Sequence, residues 1–136
     1  MISTSAYTSR ALSLLRIVSA YLFIQRGTAK FFGAPHVGML DGFQAASLMG
    51  VAGALELVGG ALLLVGLFSR PVAFVLSGFM AVAYFMGHAS QGYLLTPILN
   101  QGELAIMFCF AFLFISAAGG GAWSADAALR GKVAAV

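Results

Sequence analysis

Charge is the scarcest property of this 136-residue chain: seven Lys/Arg and four Asp/Glu make it only 8% charged, against 61% hydrophobic. An ordinary soluble domain carries roughly 25% charged residues, so the polar surface that water requires is missing. Cysteine is nearly absent as well. Cys109 is the only one, which excludes an intramolecular disulfide and any dithiol redox cycle within this chain. The bases are few and scattered, with no cluster interleaved with aromatics, so nucleic acid is not an expected partner.

What is abundant is long apolar sequence. A membrane-spanning helix needs about 20 apolar residues, and four stretches meet or approach this: residues 11–32, 45–68, 71–88 and 102–118. None shows the two-residue alternation of a membrane barrel. The expected fold is all-α: an integral membrane four-helix bundle, one domain over residues 1–136, with a short C-terminal interfacial segment. Within that segment Trp123 suits an interface belt and Ser124 a helix cap. The opening MISTSAYTSRALSLLRIVSAYLF is read as a retained helix rather than a cleaved leader, because Arg16 interrupts its apolar run. Pro71 suits the first turn of the third helix. Four spans place both termini and Ser69-Arg70 on one side, together with Arg10, Arg70, Arg130 and Lys132. That excess of bases predicts a multi-pass protein with both termini in the cytoplasm.

Each predicted helix gathers its polar groups on one stripe, counting about 100° per residue. On the first, Arg16, Ser19, Phe23, Arg26 and Lys30 share a face. On the second, Met49, Ala52, Gly53, Glu56, Gly59, Gly60 and Leu63 do, and the small residues permit close helix approach. The third aligns Ser77, Ala81, Tyr84 and His88; the fourth aligns Glu103, Met107, Phe110 and Phe114. A charge at bilayer depth costs at least ~2.5 kcal/mol, so the stripes are expected to converge. The result is a polar pocket open toward the outer leaflet, with Glu56 on its floor. Arg26, Lys30, His88 and Glu103 stand above it, under a loop bearing His36 and Asp41.

Each of these groups carries two readings. Glu56 forms a structural ion pair with Arg16, or handles a ligand or proton. Glu103 completes a capping box begun by Asn100, or lines the pocket. Arg26 and Lys30 snorkel to headgroups, or donate hydrogen bonds to a ligand. His88 is an interfacial residue or a ligand-facing one. Cys109, off the Glu103 face, is packing filler or lipid-facing.

Along nearly its whole length the chain resembles the DoxX family of small bacterial four-helix membrane proteins. The likeness lies in Gly27-Thr28-Ala29-Lys30-Phe31-Phe32-Gly33, in Glu56-Leu57-Val58-Gly59-Gly60 and in Gly66-Leu67-Phe68-Ser69-Arg70. It continues through His88, Gly92, Asn100-Gln101-Gly102-Glu103 and Trp123-Ser124-Ala125-Asp126. Where the family pattern often has His-Gly, this chain has Arg26-Gly27. The resemblance implies a protein of the bacterial inner membrane. Some members resemble subunits of a thiosulfate:quinone oxidoreductase, and others associate with thiol-redox and oxidative-stress complexes.

Three functions follow as expectations. The first is a redox-associated subunit that binds a quinone or similar apolar ring compound. Phe110, Phe114 and Tyr84 would form the slot; Arg26, Lys30 or His88 would donate to ring oxygens; Glu56 or Glu103 would exchange a proton. With no flavin motif and no cysteine pair, electrons would come from a protein partner. The second is a non-enzymatic assembly subunit, with homo-oligomerisation through the glycine face open to it. The third is a metal site built from His36, His88 and Glu103, disfavoured because no two ligands lie at short spacing. A transporter is disfavoured for want of a broken-helix pair.

Overall fold

A computed structural model describes residues 4–134, and among them the chain is helical throughout, with no strand. The helices are α1 (Thr4–Phe32), α2 (Leu48–Val65), α3 (Ser69–Ala83), α4 (Pro97–Asn100), α5 (Glu103–Ala118) and α6 (Ala125–Ala134). The stretch considered as a leader is helical from Thr4 onward; its first three residues, like the side chain of Lys132, lie outside the described residues. Helix α1 packs along α2 and α3 along α5, and the two pairs meet through α2 with α3 and α1 with α5.

Local chemistry sets the boundaries, and they differ from the expected ones. Helix α2 starts only after Ser47, whose hydroxyl accepts from the Gly50 amide at 3.3 Å. It stops at Gly66 rather than running on to residue 68. Gly66 is left-handed (φ 75), a conformation that costs a residue without Cβ nothing. Its amide and that of Leu67 both donate to the Leu62 carbonyl, a Schellman-type close. Helix α3 starts two residues before the expected Pro71, which still falls within its first turn. The amides of Phe68 and Ser69 ahead of it are capped by the Asp126 carboxylate, each at 2.8 Å. Beyond Ala83 the helix widens into a π turn over Tyr84–His88, with the Ala89 amide donating to the Tyr84 carbonyl.

Missing side chains hold α1 against α2. A Cβ placed on Gly27 would lie 2.6 Å from Cγ of Leu57, and one on Gly60 would lie 2.6 Å from Cγ1 of Ile24. Both approaches are too close for any larger residue, which is the small-residue packing expected of helices in lipid. Between the helix pairs sits an aromatic core. Phe23 meets Phe112 edge-on at 5.0 Å and Phe79 at 6.1 Å, with Phe108 at 5.5 Å. Leu63, Leu76, Met80 and Ile115 close it. The outward faces are as apolar as the core: Val18, Val58, Phe74 and Phe85 are all exposed.

One expected face is reversed. Helix α5 buries Ala105, Phe108, Phe112 and Ile115, while Met107 and Phe114 are exposed and Phe110 is 63% exposed. An aromatic slot of Phe110 and Phe114 with Tyr84 therefore does not form. In a helix that is apolar all round, a stripe anchored on one terminal acid carries little information about which side faces in.

Candidate functional site

The polar residues assemble into three clusters rather than one pocket. The first lies between α1 and α2. Glu56, only 2% exposed, accepts from Arg26 Nε through Oε1 at 3.2 Å and from Lys30 Nζ through Oε2. One carboxylate thus serves two cations, and the cluster keeps a net positive charge. Lys30 is nearly enclosed at 5%, whereas the Arg26 side chain is 40% exposed. Among the described residues, Nε is the only Arg26 nitrogen with a hydrogen bond, so both terminal nitrogens keep their donors. Phe23, one turn earlier on the same face, belongs to the aromatic core.

Arg16 does not pair with Glu56, contrary to the expected ion pair. It is fully buried and donates to four backbone carbonyls: Gly120 through Nε at 2.8 Å, Leu63 and Leu64 through Nη1, and Trp123 through Nη2 at 2.7 Å. The antiparallel register explains the difference. Lys30 lies opposite Glu56, Ile24 opposite Gly60, and Arg16 opposite Leu63 and Leu64. At 1.5 Å per residue, Arg16 is ~15 Å along α1 from Arg26, out of reach of the acid. Its partners include the last carbonyls of α2, which have no partner within the helix. A cation there also meets the negative end of the helix dipole.

The second cluster lies at the α3–α5 end. Tyr84 donates to the Leu94 carbonyl at 2.7 Å, and His88 Nδ1 contacts the Asn100 carbonyl at 3.0 Å. A carbonyl only accepts, so Nδ1 is the donor in this contact. Asn100 is buried; its amide reaches Tyr84 Oη and the carbonyls of Gly92 and Tyr93, and its Oδ1 accepts from the Gly102 amide. That last bond replaces the expected capping box. Glu103 is exposed at the start of α5, where the helix dipole favours an anion, and it lines no shared chamber with Glu56. Asn100 is a site residue that sequence reasoning named only as a cap.

The third cluster joins the ends of the chain. The Asp126 carboxylate caps α3, and the Asp126 amide donates to the Gly66 carbonyl at 3.0 Å. Burial pushes the Asp126 carboxyl up. Hydrogen bonds from Ser69 and Phe68, with the Arg130 charge, outweigh this and hold it below the ordinary carboxylate value. Ser124 caps α6 as expected, accepting from the Ala127 amide at 3.1 Å. Trp123 is exposed. Cys109 is half-buried, its carbonyl taking the Ser77 hydroxyl at 2.8 Å.

The three residues weighed as metal ligands are not brought together. His36 pairs with Asp41 at 3.0 Å in the exposed loop, His88 faces Asn100, and Glu103 points outward. No group of three His, Cys, Asp or Glu forms among the described residues. Cavities of about 350 and 300 Å³ open beside the α2–α3 turn and in the loop before α2; neither is lined by Arg26, Lys30 or Glu56.

Two helices, Leu48–Val65 and the run Ser69–Gln91, are long and apolar enough to cross a membrane. Apolar surface facing outward and charges matched inside define a helical membrane protein. A family model for DoxX matches residues 11–89, and the chain belongs to that family. A Haemophilus influenzae protein described as an uncharacterized protein is 46% identical over 123 residues, covering 88% of this chain and 91% of its own length. No solved structure matches the chain.

Proposed function

We propose that residues 1–136 form one integral four-helix membrane domain of the bacterial inner membrane, a redox-associated subunit that binds a quinone or similar apolar ring compound at Arg26. The observation that carries this reading is the asymmetry of Arg26. Its Nε is fixed by buried Glu56, while its terminal nitrogens hold no hydrogen bond among the described residues, on a side chain that is 40% exposed. An apolar ring needs aromatic surface, and its oxygens need donors. Guanidinium stays charged at any relevant pH, so it holds a carbonyl or anionic ring oxygen equally well. Glu56 acts as a positioning residue, matched by two cations. The site thus sits on α1 and α2, and His88, Tyr84 and Glu103 lie outside it. Electrons would come from a protein partner. Arg10, Arg70 and Arg130 at the end that carries the α2–α3 turn support cytoplasmic termini.

The near-complete enclosure of Lys30 and Glu56 favours a second reading, an assembly subunit in which the cluster only holds two helices together. Equilibrium dialysis of a short-chain ubiquinone against detergent-purified protein separates the two. Arg26→Gln is expected to weaken binding by about tenfold, the size of one lost charge-assisted hydrogen bond, with little change in melting temperature. Glu103→Ala is expected to bind as the parent does. A parent protein that fails to bind, or an Arg26→Gln variant that binds normally, sinks the quinone reading.

A further inference from the structure

The cavity beside the α2–α3 turn, at the far end of the molecule from Arg26, carries a different chemistry. Its volume is about 350 Å³, and its walls include Ser69, Arg70, Gly120, Asp126 and Arg130. Both arginines are exposed and each is tethered by one bond only. Arg70 donates to the Ala117 carbonyl through Nη1 at 2.9 Å, and Arg130 donates to the Asp126 carbonyl through Nε at 3.3 Å. The remaining guanidinium donors are unpaired among the described residues. Against them stands one carboxylate, and both Asp126 oxygens are already occupied by the amides of Phe68 and Ser69.

A second observation marks the same place. The Ser69 hydroxyl is completely buried and is the one enclosed side-chain oxygen or nitrogen among the described residues with no hydrogen-bond partner. It stands near Asp126, whose carboxylate takes the Ser69 amide at 2.8 Å. A Cβ on Gly120 would lie 2.5 Å from this hydroxyl, so no residue larger than glycine fits beside the oxygen. A buried hydroxyl without a partner costs about 1–3 kcal/mol, a cost that an acceptor in the cavity would remove.

We infer that this cavity binds the phosphodiester of an anionic lipid headgroup, gripped by Arg70 and Arg130 with the Ser69 hydroxyl as a third donor. Two guanidinium groups and a hydroxyl suit a tetrahedral oxyanion, and the surplus positive charge disfavours a headgroup with its own ammonium. The surroundings select a lipid over a free ion. Phe68 and Leu129 are both exposed at the cavity, an apolar rim that acyl chains would cover while the arginines reach headgroup level.

Native mass spectrometry and thermal melting in a neutral detergent test this, with dioleoyl phosphatidylglycerol, dioleoyl phosphatidylcholine and inorganic phosphate as separate additions. Phosphatidylglycerol is expected to be retained and to raise the melting temperature, with at least about tenfold weaker retention in the Arg70→Gln/Arg130→Gln variant. Ser69→Ala, which keeps both charges, is expected to weaken retention by a smaller factor and carries the test if the double variant does not fold. Arg26→Gln is expected to retain the lipid fully. Equal retention of both lipids, an equal effect of inorganic phosphate, or parental retention in both the Ser69 and arginine variants overturns the proposal.

Discussion

Arg16 and Arg26 stand on one face of α1, ~15 Å apart, and the protein treats them in opposite ways. Arg16 is sealed among four carbonyls from α2 and the segment after α5. Arg26 is held at a single nitrogen by an acid, with the rest of its guanidinium unclaimed. The same side chain is a structural clamp in the first case and an open hand in the second. What separates the two is the neighbourhood: helix-end carbonyls opposite Arg16, and a mid-helix carboxylate opposite Arg26. Residue type alone therefore says little about function in such a chain. The count of unused donors says more.

The comparison breaks most visibly at Arg16. Arg16→Met is expected to remove a donor from four carbonyls, leaving those of Leu64, Gly120 and Trp123 bare while Leu63 keeps the Gly66 amide at 3.1 Å. At roughly 1 kcal/mol or more for each lost bond, the loss is about 4 kcal/mol, read as a collapse of the melting transition followed by circular dichroism in detergent. Arg16→Met melting like the parent would show that water satisfies those carbonyls equally well. Next in size is Glu56→Gln, which leaves Lys30 buried without its counter-charge and is expected to cost about 3 kcal/mol. Adding Lys30→Met should recover more than half of that loss, because the stranded charge goes with it. A double variant as unstable as the single one would mean that Glu56 holds the helices by something other than charge matching.

Much of this was legible in the sequence. The inner faces of α1, α2 and α3 follow from periodicity because each mixes polar or small residues with bulky apolar ones, as Gly53, Glu56 and Gly60 do among leucines and valines. Helix α5 lacks that contrast, so Phe110 could not be told from Phe112 by pattern. The partners of Arg16 were hidden for a different reason. They are backbone carbonyls of Leu63, Leu64, Gly120 and Trp123, and main-chain acceptors leave no trace in residue identity. The role of Asp126 as the cap of α3 was hidden likewise, since its 57-residue separation from Ser69 appears only once the chain has folded back.

The smallest expected effect concerns that cap. The Asp126 carboxyl is held below its ordinary value of 3.8. A depressed carboxylate contributes stability that is fully present above the unfolded value and lost as pH falls through the folded one. The docking of α6 is therefore expected to be insensitive to pH through the neutral range and to loosen only below about pH 4. Amide hydrogen exchange at Phe68 and Ser69 reports it. Exchange that accelerates already between pH 7 and 5 would contradict the assignment of Asp126 as an ionised cap.

The fold-back of residues 119–126 also bears on how the chain is made. Two of the four acceptors of Arg16, and the Asp126 cap of α3, come from a stretch synthesised well after the helices they complete. Until that stretch arrives, the nascent protein holds a cation without a full set of acceptors and a helix start with bare amides. The clamp on Arg16 and the cap of α3 are thereby completed only once residues 119–126 have been made, and a product interrupted before them is left marked by its own exposed charge.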